Sequence, residues 1–209
     1  MPYPAPPAPF DPLIEPWSGG QIFWRCHSLG RDALTPNDTP SAARFRPIES
    51  ADGDIVPTAY TAENEQVAIS EGPFHDVPIS ADLKPLARAV TDRLALTPLV
   101  CNRDLQLVSF RGHGLRRLGQ TQASLIEPGP PVYPASAAWG QVAYDDARTP
   151  DGVIWTARQF TAGAAMLLFW DRCGASINKA GLTLPLALGR GFQLLSEAAD
   201  AARVVIVVP

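Results

Sequence analysis

Short strands and helices that alternate without a regular β–α–β repeat predict an α+β fold: one domain, mixed sheets, flanking short helices. Two further observations agree. At 209 residues and 46% apolar content the chain is long enough for one domain with a real core and barely long enough for two. The most continuous apolar run, Ala165 to Trp170, has strand length and reads as central.

Taken in order, residues 1–16 carry seven prolines and little that can pack, so they read as a polyproline-like arm laid along the surface or left disordered, with the domain over 17–209. Gln21 to His27 reads as a strand, with Ile22 and Trp24 on one face and Phe23 and Arg25 on the other. Thr58 to Thr61 is a short strand feeding a helix, with Thr61 as N-cap, Glu63 in the first turn, and Glu71 on the face of Val67 and Ala68. Asp82 to Leu96 has a helical look with Pro85 near its start, and strands follow at Leu99 to Cys101 and Leu105 to Phe110. Gly112 to Gly119 lacks both phosphate-loop glycine spacings and reads as a turn into a short helix, with His113 as a loop histidine. Glu127 to Pro134 is a Pro/Gly-rich loop that either covers a site or is disordered, and Ser136 has an N-cap position before the helix Ala137 to Tyr144. Gly152 to Thr156 is a further strand, Phe192 to Ala202 a helix, and Val204 to Val208 a final buried strand.

The bulk properties exclude several classes. A net charge of −4 and no basic tract argue against direct nucleic-acid binding. Three cysteines far apart, with no CxxC pair, suggest neither a zinc site nor a disulfide framework. No apolar run reaches the roughly 18 residues that span a bilayer. No basic segment followed by an apolar one marks a signal peptide, so a soluble cytoplasmic protein with no membrane partner is expected.

The densest chemistry lies between Ala42 and Asp76, which holds Arg44, Tyr60 and Glu71, with Arg25 upstream. Two guanidinium groups, a phenol and a carboxylate in semi-apolar surroundings suit an anionic, aromatic, sugar-containing ligand such as a nucleotide. Each residue also has a plainer reading. Arg25 can reach solvent, Glu71 can be a helix-end carboxylate turned to water, and Ser136 can be a cap.

In sequence the chain presents Trp24-Arg25, Ala43-Arg44-Phe45, Ala59-Tyr60-Thr61-Ala62, Ala68-Ile69-Ser70-Glu71 and Phe74-His75-Asp76. It continues with Tyr133-Pro134-Ala135-Ser136, Asp151-Gly152-Val153-Ile154 and Leu167-Leu168-Phe169. This succession resembles the RES domain, the toxin half of bacterial RES–Xre toxin–antitoxin pairs, over roughly 22–171. The resemblance implies a fold similar to ADP-ribosyltransferase toxins and an enzyme that takes NAD+ as substrate and breaks its nicotinamide–ribose bond, with no metal. It also implies an Xre-type antitoxin partner in a hetero-oligomer.

Carried over by position, the family arginines fall on Arg25 and Arg44, the tyrosine on Tyr60, the glutamate on Glu71 and the serine on Ser136. Ala43 stands where a glycine is common, Cys26 where an aromatic is frequent, and Thr156-Ala157-Arg158 where relatives read Pro-Ser-Arg. The Thr156-Ala157 region is therefore an alternative match for the serine. On this reading Glu71 stabilises an oxocarbenium-like transition state, the arginines hold the pyrophosphate, Tyr60 offers a ring face and Ser136 orients a ribose or carboxamide. Degradation of NAD+ by water or phosphate, ADP-ribose transfer to a protein, and a catalytically silent binding module are the three functions that remain open.

Overall fold

The computed structural model describes residues 2–79 and 82–208; Met1, Ser80, Ala81 and Pro209, two of them the outer ends of the expected arm and domain, lie outside the described residues. The strands are β1 (Ile14–Trp17), β2 (Ile22–Ser28), β3 (Thr58–Ala62), β4 (Lys84–Ala87), β5 (Leu94–Cys101), β6 (Leu105–Phe110), β7 (Gly152–Thr156), β8 (Ala164–Phe169), β9 (Ile177–Lys179), β10 (Leu184–Pro185) and β11 (Val204–Val207). The helices are α1 (Glu65–Glu71), α2 (Arg88–Thr91), α3 (Gly112–Arg117), α4 (Gln122–Leu125), α5 (Tyr133–Tyr144), α6 (Trp170–Cys173) and α7 (Gly189–Ala202). The α+β class, with a mixed sheet and short flanking helices, is as the sequence predicts.

Nine strands form one sheet in the order β1-β6-β7-β8-β3-β2-β5-β10, with β9 also on β5, and β4 and β11 make a separate parallel pair. Within the large sheet, among the described residues, only β6 and β7 run parallel. Residues alternate between two apolar layers: Val153 and Trp155 of β7 and Leu167 and Phe169 of β8 face the side of α1, α5 and α7, while Ile154, Met166 and Leu168 face the side of Trp17, Phe23 and Leu105. Strands buried on both faces explain why Ala165 to Trp170 is almost wholly apolar.

Several sequence expectations need correction. The segment Asp82 to Leu96 is not one helix. Leu94, Ala95 and Leu96 pair with Ser28, His27 and Cys26, and Lys84–Ala87 pairs with β11, so long-range ladders override the local pattern. Pro85 fits because β4 has a single partner strand. The final strand has one partner among the described residues and keeps Val205 and Val207 exposed, so it is an edge rather than a buried strand. Thr61 does not cap α1. Thr61 and Ala62 pair with Met166 and Ala165 of β8, and the chain turns helical only after Asn64, whose side chain accepts from Val67 N at 3.0 Å. Glu63 accepts instead from Ala164 N at 2.9 Å, and Glu65 takes the first-turn position. Ser136 lies inside α5, beyond its first turn, with Pro134 near the start.

The proline-rich arm packs on the domain: Tyr3 donates to Leu125 O at 2.8 Å, Trp139 Nε1 donates to Pro4 O at 2.8 Å, and Phe10 meets the edge of Trp139. The main sheet then takes in Ile14–Trp17, so regular structure starts before Trp17.

The parallel junction of the large sheet is locked by a buried carboxylate. Asp151 accepts two bonds from Arg103, at 2.6 and 2.9 Å, and one from Gln106 N at 2.9 Å, and the pairing holds the Arg103 guanidinium above its usual range. Asp151→Ala leaves those donors unpaired at the start of β7, and urea denaturation is expected to show a loss of about 3 kcal/mol.

Candidate functional site

Strand β2 pairs with β5 along all of Ile22–Ser28, and β3 pairs with β8 along all of Thr58–Ala62, yet β2 and β3 meet only at Trp24 opposite Ala62. Beyond that pair the two strands part, and a crevice opens inside the sheet. One chamber, about 70 Å³, is lined by Trp24, Cys26, Tyr60, Thr61, Ala68, Glu71 and Gly72. The other, about 190 Å³, is lined by residues that include Arg25, Cys26, Thr58 and Tyr60. Tyr60 and Cys26 border both, so the crevice brings Arg25, Tyr60 and Glu71 together.

Glu71 reaches the crevice because α1 ends hard against β2. A side chain at Gly72 would meet Ala68 O at 2.7 Å and Cys26 Sγ at 2.8 Å, so glycine is required for that approach. Glu71 accepts from Gln159 N at 2.7 Å, and its second carboxylate oxygen has no hydrogen bond among the described residues. Burial pushes the Cys26 thiol up to about 12, which keeps it protonated and unreactive.

Arg25 donates to Ala33 O at 2.6 Å and lies 5.9 Å from the Trp170 ring. Burial, with Arg31 nearby, draws its guanidinium down to about 10, still charged at neutral pH. No carboxylate pairs with Arg25, Arg44 or Arg46 among the described residues, although Arg44 and Arg46 are buried and Arg25 half-buried. Arg44 instead donates to Pro128 O at 2.9 Å and stacks over Tyr133 at 5.4 Å, so the loop from Glu127 to Pro134 folds over it. Arg46 donates to Thr39 O at 2.6 Å, and burial lowers its pKa. Carbonyl partners satisfy the donors without cancelling the charge.

Arg44 sits in a turn from Ala43 to Arg46, closed by Arg46 N donating to Ala43 O at 3.0 Å, with Phe45 in the left-handed region at φ 63°. That conformation costs on the order of 1–2 kcal/mol for a non-glycine residue. It is held by Phe45 packing on Phe110 and Trp155, at 5.1 and 5.3 Å, and by two side chains of the expected site. Tyr60 donates to Arg44 O at 2.5 Å, and Ser136 Oγ accepts from Phe45 N at 3.1 Å while donating to Tyr133 O at 2.9 Å. Burial raises the Tyr60 phenol, so it stays a donor. Ser136 is fully buried with its hydroxyl committed to backbone, which makes it a positioning residue for the Arg44 turn in this structure. Ala157, in the alternative match, is also fully buried and gives its N–H to Gly163 O.

From Tyr133 a polar chain leads back to Glu71: Tyr133 OH lies 3.3 Å from His75 Nε2, and Gln159 bridges His75 O at 2.9 Å and Glu71 at 2.7 Å. Sequence reasoning missed Arg46, Thr58 and Gly140. Gly140 carries a packing role, since any side chain there would overlap Phe45 O. The signal for Arg46 was its place two residues after Arg44; Thr58 and Gly140 had none. Among the described residues no cluster of three or more His, Cys, Asp or Glu is placed to hold a metal, and no helix is long and apolar enough to cross a membrane.

Comparison with known proteins agrees with this architecture. A model of the RES domain matches residues 22–188, and the chain belongs to that family. A chain of the crystal structure of the M. tuberculosis MbcT–MbcA toxin–antitoxin complex shares the fold. It has a TM-score of 0.60 and 16% identity over 88% of this chain and 92% of that one. A comparison with curated proteins finds no match.

Two substitutions test the turn that carries Arg44. Ser136→Ala strips the acceptor from Phe45 N and is expected to cost about 1–3 kcal/mol without any ligand present, read as a fall in Tm. Gly140→Ala forces α5 away from the turn and is expected to destabilise by at least about 2 kcal/mol in the same measurement.

Proposed function

We propose that the protein is the toxin of a toxin–antitoxin pair, acting in the cytoplasm, and that it binds NAD+ in the β2–β3 crevice and cleaves the nicotinamide–ribose bond. The observation that carries the reading is the crevice itself. One opening in the sheet gathers a carboxylate with a free oxygen, an aromatic ring and an arginine that has no carboxylate partner among the described residues. Membership of the RES family and the likeness to a chain of a toxin–antitoxin complex support the biological role. An Xre-type antitoxin in a hetero-oligomer is the partner this role calls for.

The chemistry follows from the charges. Nicotinamide leaves as a neutral molecule from a cationic pyridinium, and positive charge grows on the ribose as the bond lengthens. The open oxygen of Glu71 faces that charge, while Gln159 N fixes the carboxylate's orientation through its other oxygen. Arg25 holds anionic oxygens of the diphosphate, and the unpaired positive charge of Arg44 and Arg46 biases the region toward anions. Trp24 and Tyr60 provide ring faces for the departing base. Ser136 acts through the backbone of Phe45 and keeps the Arg44 turn against Tyr60.

Purified protein incubated with NAD+, with and without phosphate, and followed by mass spectrometry tests the assignment. Free nicotinamide with ADP-ribose or its phosphate ester is the expected result, and label retained on protein would point to transfer. Glu71→Gln removes the charge but preserves the acceptor for Gln159 N. It is expected to lower turnover by about a hundredfold, near 3 kcal/mol, with Tm unchanged. Wild-type turnover in Glu71→Gln would sink the mechanism.

A further inference from the structure

The loop 29–37 turns back against the β2 side of the crevice. His27 Nδ1 lies 2.9 Å from Ser28 O and 3.1 Å from Arg31 O, which pins the start of the loop. Arg31 Nη2 donates to Pro36 O at 3.1 Å, and Asn37 exchanges both backbone bonds with Thr58, at 2.7 and 2.9 Å. The loop is thus fastened at both ends, and it carries Ala33 O, the acceptor that aims Arg25.

Arg25, Arg31, Asn37, Thr58 and Tyr60 line the same cavity of about 190 Å³. Asp32 lines it too, but Lys179 Nζ holds that carboxylate at 2.5 Å. Neither guanidinium has a carboxylate partner among the described residues, and the two stand close enough to repel. The hydroxyl of Thr58, a residue only 1% exposed, has no hydrogen-bond partner among the described residues. Two like charges and an unpaired buried hydroxyl around one hollow are unfavourable together, and an oxyanion relieves both.

We propose that this cavity is an anion subsite in which Arg31 and Thr58 join Arg25 in holding a phosphate group. The group belongs to a nucleoside diphosphate or is free phosphate. The identification with the diphosphate of NAD+ rests on the function proposed above; the subsite itself does not.

Calorimetric titration of the full chain with ADP, inorganic phosphate and adenosine tests it. ADP is expected to bind and adenosine not. Arg31→Gln is expected to weaken ADP about tenfold, the size of one charge-assisted contact at a partly exposed site. Thr58→Val is expected to weaken ADP while raising the Tm of the ligand-free protein, because it removes a hydroxyl that has no partner. A merely structural threonine would lower Tm and leave affinity alone, which would overturn its part. Phosphate binding with the same Arg31 dependence identifies free phosphate as the occupant, and Arg31-dependent ADP binding with no binding of phosphate identifies a diphosphate. Unchanged affinity in Arg31→Gln, or no anion bound by the wild type, overturns the subsite. NAD+ cleavage in which Arg31→Gln leaves both the KM and the ADP and phosphate affinities unchanged overturns the subsite alone. Arg31-dependent phosphate binding in a protein that never releases nicotinamide overturns the proposed function alone.

Discussion

Strands β2 and β3 are neighbours in the sheet that share one residue pair, Trp24 with Ala62, and the placement of the candidate site depends on their parting there. Each strand is fully committed on its outer side, β2 to β5 and β3 to β8, so the sheet loses little by opening between them. The backbone groups freed at Thr58 are taken up by Asn37. The opening therefore leaves no orphaned ladder there, and it exposes side chains that a continuous sheet would have pressed together. The long excursion from 29 to 57 leaves and re-enters at this gap; it brings Arg31 and Asn37 to the crevice and carries Arg44 and Arg46 on the same connection.

A second constraint is electrostatic. Buried arginines usually meet carboxylates, and here Arg25, Arg44 and Arg46 meet carbonyl oxygens of Ala33, Pro128 and Thr39. A carboxylate would have neutralised each charge. Carbonyl dipoles fix each guanidinium in position and leave its charge available. The same logic sets the environment of Glu71, whose anchoring donor is a neutral backbone N–H rather than a cation.

The sequence made the chemistry of the site more legible than its geometry. Arg25, Tyr60 and Glu71 could be read as a group because residue type and order carry the family pattern, and the structure gathers them at one crevice. Ser136 could be found but not interpreted: its role depends on Phe45 N, contributed from 91 positions away. The splitting of the sheet had no local signature, since it follows from which strands pair, not from what β2 and β3 contain. The misreading of Asp82 to Leu96 has the same origin, because Leu94–Cys101 takes its conformation from β2. Gly140 and Thr58 were invisible, one being an absence of side chain and the other an absence of partner.

The proline-rich arm has a consequence for the order of events as the chain is made. Two of its anchors are Tyr3 on Leu125 and Pro4 on Trp139, more than 120 positions downstream. These residues leave the ribosome well before their partners and have nowhere to dock until α4 and α5 have followed them. Those helices border the loop over Arg44 and hold the Phe45 turn. The arm closes across them only once they are in place, as a strap whose buckle is synthesised long after the strap itself.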